Sequence, residues 1–447
     1  MARRFGPPPG ASRTADPVST ARNIFAYVKE RASVGYQESI VRRTALLCGL
    51  VLPGFAANFL TYFFCALLLP ADQFGVLYVA FTISNVLYAG SNIVNAFLTR
   101  HLVRVGENNG REVVVPTMLR LERDIGFIGA IIGALLFVAL LAVSKQIGVQ
   151  SPILIILILF DVYTAYMCDL GRVLLQSLRK TVALGFYTSI WMFLRFGLCV
   201  AGILLFKTVW GALSGVVLSA AIVFAVFHVW ISYANRGGAN AAKVTLPLLS
   251  LLPAAAGFAL VALASNLDVL LGYFVLGESE LGVYSASSVF PKAALVVIMP
   301  LLQMLIPSMI GADPSGHHFV SVTARIAGII LALTAAGSGV IWLLSNQLCG
   351  GRWGLKLCEP SILGILLISV VPQSLLRTLA IVEFARGREL SLFWLALPTA
   401  ACALYLLASA PGITELASGF SIFSIVVFVF FAAVCLIAPV LRKRNWR

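Results

Sequence analysis

Five ionisable residues lie where ionisable residues are expensive, inside long apolar runs: Asp161, Arg195, Asp268, Lys292 and Arg377. A charge at mid-bilayer costs a few kcal/mol, so each must face a wet cavity or a partner. Counting ~1.5 Å of helix rise per residue, Asp161 and Arg195 both fall roughly 13–17 Å below the outer boundary. Asp268 and Lys292 fall at roughly 10–15 Å on adjacent antiparallel spans. Two ion pairs are therefore expected, one in each half of the chain. They either lock helices together or offer a cation-lined cavity with acids for ion or proton coupling. Arg377 has no deep acid at its level, since Glu383 lies further in. It is the residue expected to meet an anionic substrate, because a guanidinium grips phosphate oxygens in pairs as an ammonium cannot.

Uncharged polar groups add to this interior. Asn85, Ser91, Asn92 and Asn95 recur along one run, with Gln303 and Gln373 in two others. Each alone serves as inter-helix glue; together they suit hydroxylated cargo. The expected substrate contacts are thus Arg195, Lys292, Arg377, Asn92, Gln303 and Gln373. His228 is read as an interfacial residue with no special role. Six of the eight cysteines fall in apolar runs as small packing residues. Cys349 and Cys358 share a short polar connection, either as two thiols or, on an oxidising side, as a disulfide. No zinc spacing, G-x-x-x-x-G-K-[ST], H-E-x-x-H or G-x-S-x-G occurs, so no metal, cofactor or catalytic residue is expected.

The elements that carry these residues are membrane spans. Apolar residues make up 60% of the chain and charged residues only 11%, far outside the soluble range. Twelve runs are long enough to cross as helices: 45–69, 75–99, 124–145, 152–171, 182–206, 208–232, 247–275, 282–309, 323–346, 361–384, 390–409 and 417–441. Barrel-type alternation is absent, so the fold class is an all-α membrane protein. Twenty-five of the 32 Lys and Arg residues fall on one side and four on the other, which puts both termini in the cytoplasm. The net charge of +14 is then orientation signal and attraction to lipid headgroups, not nucleic-acid binding. No cleavable signal peptide is expected before residue 44.

An internal repeat organises the spans. Leu-Pro-Ala-Asp-Gln-Phe-Gly-Val at 69–76 returns as Leu-Gly-Glu-Ser-Glu-Leu-Gly-Val at 276–283, a shift of 207. The same shift carries 176–179 onto 383–386. Two six-helix lobes, 44–234 and 247–441, are expected around a central cavity. A tail with a possible interfacial helix (1–43), a linker (235–246) and a basic tail (442–447) complete the chain. Pro53, Pro253, Pro291, Pro300, Pro307, Pro372 and Pro398 interrupt spans, either as static kinks or as hinges.

The stretch 264–286, from Ala264-Ser265-Asn266-Leu267-Asp268 through Gly277 and Gly282-Val283-Tyr284 to Ala286, resembles the span-seven to span-eight signature of polysaccharide repeat-unit flippases. These belong to the multidrug/oligosaccharidyl-lipid/polysaccharide exporter superfamily. Phe74-Gly75-Val76-Leu77-Tyr78, Arg386-Gly387-Arg388 and Ala410-Pro411-Gly412-Ile413 are similar to other connections of that family. The resemblance implies alternating-access movement of an undecaprenyl-diphosphate-linked oligosaccharide across the bacterial inner membrane, for O-antigen, capsule or exopolysaccharide. It also implies membrane lipids as partners, with the protein acting either alone or beside a polymerase and chain-length regulator. Asp268 alone is carried over by position. The alternative is an ion-coupled multidrug or metabolite antiporter of the same superfamily. A polymerase or ligase would need a larger external loop.

Overall fold

In lipid an unpaired backbone group has no water to turn to, so apolar chain closes its hydrogen bonds within helices. The computed structural model describes residues 46–47, 49–147, 151–235, 241, 248–310, 317–350, 355–409 and 412–444. It does so without the side chains of 92, 111, 143–147, 234, 248–250, 296–310, 317–322, 326 and 437–444. The described residues from Leu50 onward form one compact unit. The expected tail 1–43 and most of the linker 235–246 lie outside the described residues.

The helices are α1 (Gly49–Leu68), α2 (Ala71–Tyr88), α3 (Ser91–Asn109), α4 (Val114–Ile147), α5 (Pro152–Ser177), α6 (Thr181–Phe206) and α7 (Val209–Ala234) in the first lobe. The second lobe holds α8 (Leu248–Val275), α9 (Glu278–Ile310), α10 (His317–Leu343), α11 (Ser345–Leu348), α12 (Pro360–Ala385), α13 (Ala396–Ser409) and α14 (Ile413–Arg444). Among the described residues, eleven helices are long and apolar enough to cross a membrane, α2 and α3 counting as one. With α9, which has 33 residues, the twelve expected spans are all helical. Side chains such as Phe127, Leu205 and Leu436 stand fully outward, as lipid contact requires.

Three expectations need correction. The second span is broken at Ala89–Gly90, between α2 and α3, at a Gly-Ser step of the kind that kinks helices. There a Cβ on Gly90 would come within 3.2 Å of Ala255 on α8. The supposed loop 100–123 is mostly helix, because Met118 and Leu121 are buried with Met167 and Leu174 of α5. Finally, the repeat register is not 207 throughout. Pro152 opens α5 and Pro360 opens α12, each a helix of 26 residues, which is a shift of 208. Both helices end in the same pattern. Lys180 N–H bonds Leu175 O and Arg388 N–H bonds Glu383 O, each at 2.9 Å, a Schellman closure. The left-handed residue is Arg179 in one lobe and Gly387 in the other.

The first repeat explains how the lobes meet. Its two copies open α2 and α9, which pack against each other along the interface. A Cβ on Gly282 would lie 2.1 Å from Ala71 O, and one on Gly75 would lie 3.0 Å from Gly282 N. Only glycine lets two backbones come this close. Taking as outer the ends that the cation distribution assigns to the outside, this contact seals the outer end. Phe290 of α9 reinforces it against Phe59 and Phe63 of α1, with ring centroids 5.8 and 6.2 Å apart. On the same side, Cys349 and Cys358 are joined as a disulfide, with a Cα separation of 4.7 Å.

Candidate functional site

Beneath the outer seal lies a cavity of about 310 Å³, walled by α1, α2, α5 and α6 of one lobe and α8, α9 and α12 of the other. Arg195, Lys292 and Arg377 all line it, together with Asp161 and Asn85. The two ion pairs differ in quality. Lys292 Nζ donates to Asp268 Oδ1 at 3.1 Å, and Tyr284 Oη donates to Oδ2 at 3.2 Å. Asp268 is wholly buried. The Arg195–Asp161 contact is looser at 3.9 Å, and both Asp161 Oδ1 and Arg195 Nε are buried without a hydrogen-bond partner. Buried polar groups without partners are rare in folded proteins. Ser84 Oγ, Arg172 Nε and Trp191 Nε1 on the same lobe's wall share this condition.

Arg172 was missed by the sequence reading, which counted it among the cytoplasmic loop cations. Helix α5 continues to Ser177, so Arg172 stays inside the lobe. It donates to Asp169 Oδ1 at 2.8 Å and stacks over Trp191 at 4.7 Å. Tyr88 also donates to Asp169, and Asn95 does so at 2.7 Å. The cavity's ionisable lining is therefore four cations against one acid. A third of the remaining lining is aromatic, with Phe55, Phe59, Tyr62, Tyr78, Tyr88, Trp191 and Phe258. Lys292 Nζ sits 5.6 Å from the Tyr78 ring and the Arg195 guanidinium 5.6 Å from Phe81, a geometry that favours cations. The signal for Arg172 was available: an Arg three residues after an acid, just before a helix end.

Gln373 is a correction. It does not line the cavity but lies inside the second lobe, where its amide donates to Ser369 at 3.1 Å and Ser424 at 3.4 Å. Asn92 and Gln303, by contrast, have side chains outside the described residues. Glu383 pairs with Arg386, at 2.9 Å, and Arg377 lines the cavity. With the register of 208, Arg377 on α12 occupies the position of Asp169 on α5, so the lobes carry opposite charge at matching places. His228 has a partner after all: its Nδ1 lies 2.5 Å from Glu122 Oε1, tying α7 to α4. Among the described residues, no group of acids, cysteines and histidines could hold a metal ion.

No protein-family model matches this sequence, and no curated protein matches it. Solved structures do. A mutant of the MATE transporter VcmN from Vibrio cholerae superimposes with a TM-score of 0.63 at 16% identity, covering 91% of this chain and 97% of that one. A MOP superfamily transporter from Pyrococcus furiosus superimposes at 0.65 and 15% identity, covering 90% and 96%; its binding pocket is described as having reversed polarity that suggests a different function. An inward-facing multidrug resistance MATE transporter of the MOP superfamily gives 0.61 at 13% identity, covering 90% and 99%. At such identities the likeness establishes the fold. The chain is a multi-pass, all-helical membrane protein with the architecture of MATE transporters.

Proposed function

We propose that this protein is an alternating-access transporter whose cavity receives an anionic substrate. The observation that carries the reading is the charge at the lining: four cations, Arg172, Arg195, Lys292 and Arg377, against three carboxylates, Asp161 on the wall and Asp169 and Asp268 bonded behind Arg172 and Lys292, an excess of one positive charge. In a low-dielectric chamber such a surplus attracts anions and repels organic cations. The specific reading is a lipid-linked (undecaprenyl-diphosphate) oligosaccharide moved across the inner membrane, both termini cytoplasmic, with the diphosphate on the cations and the prenyl chain in lipid. It rests on this lining and on the resemblance around Asp268. At about 310 Å³ the cavity as it stands suits a charged group and little more, at the small end of ligand sites. The sugars would enter only once the lobes part.

The second reading is an ion-coupled multidrug or metabolite antiporter, and the solved neighbours support it better than the flippase, since most are MATE transporters. The Pyrococcus furiosus protein is the neighbour that speaks for a changed pocket on the same fold. Arg377→Ala decides its own part: the expected result is loss of polysaccharide export in cells with normal membrane abundance. Full export would remove Arg377 from the mechanism.

A further inference from the structure

Of the acids that accompany the cavity's cations, two are held from behind and one is not. Asp268 accepts from Lys292 at 3.1 Å and from Tyr284 at 3.2 Å. Asp169 accepts from Arg172 at 2.8 Å, from Asn95 at 2.7 Å and from Tyr88. Asp161 alone stands on the cavity wall itself, and among the described residues its carboxylate has only Arg195, at 3.9 Å between Nη2 and Oδ2. That is beyond hydrogen-bond reach. Arginine grips a carboxylate best through two parallel N–H···O bonds. The two atoms that would complete such a fork, Arg195 Nε and Asp161 Oδ1, are both buried and both without a partner. Matching donor and acceptor are present, and the bond between them is unmade. An approach of about 1 Å, from 3.9 Å to the ~2.8 Å of a charge-assisted bond, would close it.

We propose that Asp161 is an internal ligand of Arg195, competing with the substrate's anionic group for the same guanidinium and so hastening its release. The inference rests on the anionic reading of the cavity given above. An anion docked on Arg195 holds Asp161 off, and like charges a few ångströms apart in a low-dielectric chamber repel strongly. When Asp161 returns it closes the fork and satisfies both orphan atoms, which offsets the loss of the anion. Asp169 and Asp268 cannot act in this way, because other donors fix them behind the wall. The cavity thus carries one fixed excess charge that attracts and one movable acid that expels.

The test is titration of the full-length protein in detergent with geranylgeranyl diphosphate at fixed pH, with the probe's dissociation rate followed by stopped flow. Asp161→Asn removes the competing charge and should tighten binding at least about tenfold, the gain lying in slower dissociation. In an Arg195→Gln background that gain should vanish, since no fork is left to close. Asp161→Glu keeps both charges and adds one methylene of reach, so it should close the fork and weaken binding about tenfold. A helix lock predicts the opposite sign for Asp161→Asn, because an unpaired Arg195 would disorder the wall. Unchanged or weaker binding in Asp161→Asn, or the same gain without Arg195, overturns the inference and leaves the anionic cavity standing. If Asp161→Asn does not fold, Asp161→Glu decides alone, and unchanged or tighter binding overturns the inference. Absence of binding in the wild type overturns both.

Discussion

Gly282→Leu is expected to abolish transport while the protein remains inserted in the membrane. The Cβ alone would lie 2.1 Å from Ala71 O, a backbone atom that no rotamer change can move aside. Forcing extra volume into a packed contact costs about 1–3 kcal/mol, and here the cheapest relief is to part α2 from α9. A penalty of about 3 kcal/mol on the outer-closed arrangement shifts its population about 150-fold. The variant should therefore be held open to the outside. The check is Asn58→Cys, a cavity-lining position, which should react with an impermeant maleimide from the outside much faster when combined with Gly282→Leu. Normal transport by Gly282→Leu would show that the glycine contact is not a gate. Gly282→Ala should give a partial form of the same defect.

The second large effect concerns Lys292. Lys292→Met should destabilise the protein by about 3–5 kcal/mol, because it leaves Asp268 buried without its cation. Adding Asp268→Asn should restore most of that stability, since no buried charge is then left unpaired. Transport should not return, because Lys292 also lines the cavity. Thermal unfolding in detergent measures the first part and export in cells the second. A stable double variant that transports normally would make the pair a helix lock and nothing more.

These outcomes rest on features that differed in how readily the sequence disclosed them. The spans, the two lobes and the three buried cations were legible because burying charge in lipid is so costly that position alone constrains its surroundings. Both ion pairs followed from helix rise and depth. Arg172 escaped notice because the apolar run 152–171 was closed one residue before it. The structure continues α5 past it, since Asp169, Tyr88 and Trp191 give the guanidinium a place to sit. Gln373 misled for the converse reason: depth says how far a side chain lies from water, not which face of α12 it occupies. The change of register from 207 to 208 was hidden as well. Arg179 and Arg386 match by sequence, yet the helix closures match Arg179 with Gly387. The contact between the two repeat copies could not be read either, though the glycine retained in each, Gly75 and Gly282, is what permits it.

The charge preference of the cavity is the point on which the account turns, and equilibrium binding reads it directly. Full-length protein should be titrated with geranylgeranyl diphosphate and, in parallel, with tetraphenylphosphonium. The account predicts saturable binding of the diphosphate, weakened at least about 100-fold in Arg195→Gln/Lys292→Gln/Arg377→Gln, a loss of roughly 2.7 kcal/mol. Tight binding of the phosphonium with no binding of the diphosphate would contradict it and leave a cation antiporter in its place.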